Sequence, residues 1–371
     1  MKVFVNAIRP LGFCGFALLL TAGAATSCGG DDAATTTGAG GSTATTASST
    51  SATSVASTSS GTGGAGGEGG NELPPCVPGD GVTLALTKLS WGQGLSGEWK
   101  KVGLNVDGLV SDATSTDLCL PAAGASPDTP YPDGDNGIDN SFGKNLLPIV
   151  LSVLPKWADK LNTDLETGAF NAMLKMYCLP AAGDTTDMVS KVFGGTALGT
   201  PPLYDGTDVW PVAPELLADP QDPESSTLVF EHSTVTGTLF DSGEDQTIIL
   251  TIPLDINGNL SNLKLTLYSA QMVMNLSSDR RSATGGVIGG VLDTEEFLVQ
   301  MKKIAWLGGL CDNALFDGLV TDVRRASDML TDGTQDPNKE CNGISLGVQF
   351  EMKEVQLGDV GPAAPVGMAC P

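Results

Sequence analysis

The chain has 371 residues, with 19 Lys+Arg against 43 Asp+Glu and one His, for a formal charge of −24. Such acidity repels phosphate backbones and excludes a nucleic-acid partner. A single His excludes multi-His zinc centres and leaves any Ser-His-Asp chemistry resting on His232 alone.

Residues 1–27 read as a processing segment. Lys2 and Arg9 form a positive start and Leu11 to Ala25 an apolar stretch. Ala25-Thr26-Ser27-Cys28 resembles a bacterial lipobox, with Ala25 where Leu is usual, so Cys28 is the expected lipidated N-terminus. The bilayer is then a partner through acylated Cys28, and the expected location is the outer membrane, facing the periplasm or the cell surface. Residues 28–72 follow as a tether. Positions 33–67 contain only Ala, Thr, Gly and Ser apart from Val55, a composition that cannot bury apolar area to offset ordering. Its average reach is about 35 Å by the square-root rule for flexible linkers. Residues 1–72 hold only Lys2, Arg9, Asp31, Asp32, Glu68 and Glu72 as charges, so −22 of the −24 belongs to residues 73–371, the expected globular domain.

Within that domain, Val82 to Leu89 alternates as a strand, and Trp99 to Val106 is a second candidate. Leu146 to Leu154 reads as helix, with Pro148 in its first turn, and Trp157, Leu161 and Leu165 continue beyond a break at Pro155. Residues 170–177 fit helix or strand, and 200–226 read as irregular. Strands are expected at 227–240, 246–255, 262–276 and 284–292, the last broken by glycines. Asp293 and Glu296 form a capping box before a helix, a second helix covers about 312–330, and Ser345 to Leu357 is the final strand. Without βα alternation this is an α+β fold: an antiparallel sheet or sandwich decorated with two or three helices.

Eight Cys include Cys14 in the leader and Cys28. The remaining six, scattered through an exported chain, read as three disulfides. The pairings favoured are Cys76–Cys370 at the domain ends, Cys119–Cys178 from the repeated hexapeptide CLPAAG, and Cys311–Cys341 around one helix.

The sharpest local signal is DGDNGIDN at 133–140. Asp133, Asp135, Asn136 and Asp139 alternate with glycines, so several oxygens can converge on a hard cation, and calcium is the cofactor this pattern suits. The string is similar to the Asp-rich loops of EF-hands and thrombospondin type 3 repeats. It departs from them in spacing and lacks the distal Glu. The plainer reading is an Asx-rich turn in which Asp139 or Asn140 caps a helix. Tyr204 and Trp210 sit beside Asp205 and Asp208 in a Pro-rich loop, where they stack on a sugar ring or plug the core.

The lipobox, the tether, DGDNGIDNSFG and ECNGISLGVQFE at 340–351 together resemble surface lipoproteins of myxobacteria and related soil bacteria. The resemblance implies an address and no activity or catalytic residue. The leading expectation is a tethered, disulfide-stapled, calcium-supported module that binds an extracellular ligand such as a polysaccharide. The alternatives are a carboxylate-driven hydrolase, and a lipid-binding module that uses strands 227–292 as a concave surface.

Overall fold

A computed structural model describes residues 81–94, 97–256, 259–307, 309, 311, 314–364 and 368–370. The chain divides into two units, Met1–Gly70 and Asn71–Pro371, and every described residue belongs to the second. The expected leader, Cys28, the tether and Cys76 lie outside the described residues.

Ten strands and four α-helices occur among the described residues. In chain order they are β1 (Gly81–Ser90), α1 (Leu147–Val153), α2 (Trp157–Thr167), β2 (Asn171–Tyr177), β3 (Thr185–Gly195), β4 (Val209–Val212), β5 (Leu228–Thr236), β6 (Leu239–Asp241), β7 (Gln246–Ile256), β8 (Asn259–Leu276), β9 (Ser282–Asp293), α3 (Thr294–Leu307), α4 (Ala314–Arg325) and β10 (Gly343–Val360). This is the α+β, mainly antiparallel architecture expected, with one feature that no local pattern announces. The pairings run β1–β2–β3–β5–β6–β8–β9–β10 and return from β10 to β1, so the sheet closes into a ring of eight antiparallel strands. Closure turns one face of every strand inward. Leu84, Leu174, Phe230, Phe240, Met274 and Val348 are all fully buried in one continuous apolar cluster. β4 adds to β10 in parallel, the one parallel pairing between named strands.

Local chemistry explains most element ends. Gly168 takes the left-handed conformation that stops α2, and Ala169 N–H bonds back to Asp164. Asp293 Oδ1 accepts from the N–H groups of Glu295 and Glu296, giving α3 its cap. Glu296 does not complete the box, because its carboxylate accepts from the Tyr268 hydroxyl at 3.0 Å.

Trp99 to Val106 is not a strand. Glu98–Lys101 form a 3-10 turn, Gly103 has φ +135°, and Leu104 makes only an isolated bridge to Asp139. This segment lies flat on the barrel wall where Gly289 of β9 pairs with Gly347 of β10. A Cβ at Gly347 would stand 2.2 Å from the Val102 carbonyl oxygen, and one at Gly289 would stand 2.8 Å from Leu104 Cβ. The glycine-broken strand is therefore a landing for the loop, as close backbone approach requires.

The cysteine pairs differ from those expected. Cys119 bonds to Cys341 and Cys311 to Cys370. Residues 119–120 run beside 339–341, with Leu120 N–H donating to Lys339 and Cys341 N–H to Leu120, which faces Cys119 toward Cys341. Cys178, also disulfide-bonded, follows the end of β2, so the two CLPAAG copies serve different places and do not meet. Cys370 lies beside α3, where its N–H donates to Lys302, and this brings it to Cys311 rather than to Cys76.

Candidate functional site

The segment held down by the glycine pair builds the floor of a cleft of about 530 Å³. Leu104 to Leu109 line one side, and Glu244, Asp245, Ser269 and Gln271 face them from the β6–β7 turn and β8. Asp332 to Gln335 close it from the loop before β10. Five carboxylates line this cleft (Asp107, Asp117, Glu244, Asp245 and Asp332), and none of the described lining residues is Lys, Arg or His. Two non-glycine lining residues, Asp245 (φ +58°) and Ser269 (φ +42°), hold left-handed backbone. For Ser269 this is a sterically costly conformation, set within the irregular β8–β9 register between Tyr268 and Gln271. Asp332 accepts from Thr334 N–H and Oγ1, bonds that hold its carboxyl below the usual range and keep it charged.

Asp107 joins this cleft to a second, buried acidic group. Its Oδ1 accepts from Leu109 N–H at 2.9 Å and its Oδ2 from Gln335 Nε2 at 2.7 Å. Next to it, Asp139 is buried, and its Oδ2 accepts from Val106 N–H at 2.6 Å and Asp107 N–H at 3.4 Å. Burial, reinforced by Asp107, Asp328 and Asp133, pushes Asp139 up to about 9. Asp328 is pushed up to about 7 by burial, against hydrogen bonds from the Ser345 N–H and hydroxyl. Asp133, accepting from Ser111 N–H, rises to about 6 through burial and, secondarily, Asp107. The cation facing this group is Lys144, itself lowered to about 8 by burial despite Asp328, Asp133 and Asp128. Its Nζ is also spoken for, by the carbonyls of Asp128 and Pro132.

The four residues singled out for calcium thus divide. Asp133 and Asp139 turn inward toward Asp107 and Asp328, whereas Asp135 and Asn136 are exposed on the turn, with Asn136 at φ +59°. Among the described residues no three His, Cys, Asp or Glu side chains converge into a ready-made metal set. The capping reading also holds in part: Asn140 Oδ1 accepts from Gly143 N–H, and its Nδ2 donates to Val102 and Trp99 carbonyls. Asp107 and Asp328 carried no signal in sequence. Asp107 sits in the string DGLVSD, but nothing in its spacing linked it to residues 133–139 or to Asp328.

Tyr204 and Trp210 form no sugar platform. Trp210 is fully buried and donates Nε1–H to the Thr196 carbonyl, and Tyr204 stacks on it at 6.1 Å. The Tyr204 hydroxyl bonds to the Leu86 and Leu165 carbonyls, which leaves both rings in a satellite core under their loop. His232 is exposed on β5, paired with Asp187 at 2.6 Å, and that carboxylate raises its pKa. No helix among the described residues is long and apolar enough to cross a membrane. No family model, curated protein or solved structure matches this chain.

Proposed function

We propose that the protein is a lipid-anchored exterior binding module whose ligand enters the acidic cleft, with calcium as the cation that its carboxylates take up. The observation that carries this reading is the cleft itself: five carboxylates and no basic side chain among its described lining residues, continuous through Asp107 with three further aspartates whose ionisation the fold disfavours. Like charges gathered in a partly buried site are relieved by protonation or by a bound cation. Calcium takes six to eight oxygens in flexible geometry, so small side-chain movements of Asp133, Asp139 and Asp107 would complete a set that does not yet converge. Asn105, Gln271, Ser269 and Thr334 then offer hydrogen-bond partners suited to a polyhydroxylated ligand such as a polysaccharide. Acylation at Cys28 and the tether would hold this module at the outer membrane.

The test is thermal unfolding of calcium-loaded protein at pH 7.5 with and without EDTA. Loss of calcium should lower Tm by several degrees, and Asp139→Asn should abolish the difference. An unchanged melt removes calcium from the reading. A glycan array then reads the cleft directly, with Asp107→Asn weakening binding.

A further inference from the structure

The ring closes through β5, β6 and β8, and β7 stands beside that route. Among the described residues β7 pairs only with β8, over Gln246–Ile256, so one of its long edges is free. The register tells which backbone groups lie on that edge. Lys264 of β8 stands opposite Thr251, and its N–H turns away from β7 to donate to the Gln300 side chain of α3 at 3.3 Å. Thr251 and Lys264 are therefore a pair that exchanges no ladder bonds, and the N–H and C=O of Thr251 point away from β8. The register is unbroken from Ile248 to Ile256, so the backbone groups of Ile249 and Pro253 face the same way. Pro253 supports this assignment independently, because a proline is tolerated where its missing N–H would face a free edge. No backbone bond among the described residues reaches the outward groups of Ile249, Thr251 or Pro253.

Strand edges in folded proteins carry charges, bulges or covering segments that block pairing. From Gln246 to Leu254 this strand has no charged residue, and Pro253 is its one guard. The side chains of Ile249, Thr251 and Pro253 are half-buried, while those of Ile248, Leu250, Ile252 and Leu254 alternate with them into the core. Beside the edge lies a chamber of about 240 Å³, with Thr251 and Pro253 on one side and Gly194, Ala213, Ala363 and Ala364 on the other. A cavity of about 150 Å³ holds benzene, so this one has room for a peptide backbone bearing small side chains. The one charged side chain among its described lining residues is Glu215.

From this geometry we infer that the free edge of β7 is a strand-addition site for an extended segment of another exterior protein, small and β-branched in its middle and basic at its ends. Main-chain bonds to Ile249, Thr251 and the Pro253 carbonyl supply the affinity, and the guest side chains that face the chamber must be small. Charge selects the guest. Residues 73–371 carry −22 and Glu215 lies in the chamber, so a second copy of this chain is repelled and a basic segment is attracted. None of Ile249, Thr251 and Pro253 lines the acidic cleft, and the site needs no calcium.

The experiment titrates full-length protein, in EDTA, with three peptides of one length. They are acetyl-Lys-Thr-Ala-Thr-Val-Thr-Ala-Lys-amide, its twin with Glu at both ends, and a twin of the first with every central amide N-methylated. Calorimetry should give saturable 1:1 binding for the first and at least ten-fold weaker binding for the other two. Hydrogen exchange on the complex should show new protection at the Ile249 and Thr251 amides. Thr251→Pro removes an outward N–H without costing a ladder bond to β8, so it should still melt cooperatively and bind the first peptide at least ten-fold more weakly. No saturable binding, or binding that leaves both amides unprotected, overturns the site. Equal affinity for the N-methylated twin overturns strand addition, and equal affinity for the Glu-ended twin overturns the basic guest. Protection of the same amides that grows with protein concentration in the absence of peptide overturns the foreign guest and assigns the edge to a second copy.

Discussion

Two of the regions where this barrel buries ionisable side chains do so in opposite ways. On β2, Lys175 is buried but meets Glu224 at 2.5 Å, and the Tyr177 hydroxyl donates to the other oxygen of the same carboxylate. Lys191 donates to the Glu224 carbonyl and, like Lys175, lies over the Tyr177 ring. Burial, with Glu224 beside it, raises the Tyr177 pKa and keeps that phenol a donor. The buried Lys175 and the Glu224 carboxylate thus pair as opposite charges, and Lys191 rests on a carbonyl and a ring. Around Asp139, by contrast, burial is joined by Asp107, Asp328 and Asp133 in making its ionisation harder, and the Lys144 ammonium is taken up by carbonyls. A structural ion cluster is complete as folded, whereas the aspartate group is held in a state that a proton or a cation would improve. That contrast is the reason the proposed function is placed at the second region.

The largest effect should come from cutting the staple that serves only the acidic side. Cys341→Ser with Cys119→Ser opens a bridge spanning 222 residues of sequence and should cost about 3–5 kcal/mol. In hydrogen exchange, protection should fall around residues 104–139 and persist on β2 and β3. Uniform loss would break the comparison.

Next is Glu224→Gln. It leaves the Lys175 ammonium buried against a neutral amide and should destabilise the fold by about 2 kcal/mol by urea unfolding, less than a fully buried pair because Glu224 is partly exposed. Its ligand and calcium responses should be unchanged. A calcium-dependent loss would mean that the two regions are coupled.

The smallest effect is the most diagnostic. An aspartate whose folded pKa lies above its unfolded value of about 3.9 binds its proton more tightly when folded. Its contribution to stability is full below about pH 4 and is lost as pH rises through the folded values of about 6, 7 and 9 for Asp133, Asp328 and Asp139. In EDTA, Tm should fall between pH 5 and pH 8. Asp139→Asn should make that slope shallower, because an amide still accepts from Val106 N–H without acquiring charge. A slope unchanged by this substitution would show that burial and the neighbouring aspartates do not hold Asp139 protonated as the fold implies.

Much of the chain is legible locally because the signals are local. The alternation of Val82, Leu84 and Leu86 becomes β1, and Asp293 caps α3 as its position before Glu295 and Glu296 suggests. Phe170 to Tyr177, ambiguous by pattern, is a strand because β1 and β3 flank it on both sides. β3 and β4 carry no clean alternation and were not among the expected strands: β3 reads TTDMVSKVFGG, with both Lys191 and Met188 in its ladder, and β4 is four residues long. Their pairing energy comes from neighbours far along the chain. The Asp-rich string revealed that carboxylates gather, but not that Asp135 points out while Asp139 points in.

The sequence by itself determined the acidity of residues 73–371 and the class of the fold. These follow from composition and from periods of two and 3.6, which the backbone imposes within a few residues. Only the tertiary structure decided that the sheet closes, that Cys119 meets Cys341, and that Asp107 and Asp328 join Asp139. Each depends on residues tens to hundreds of positions apart being brought to one place, and no short-range steric rule encodes that.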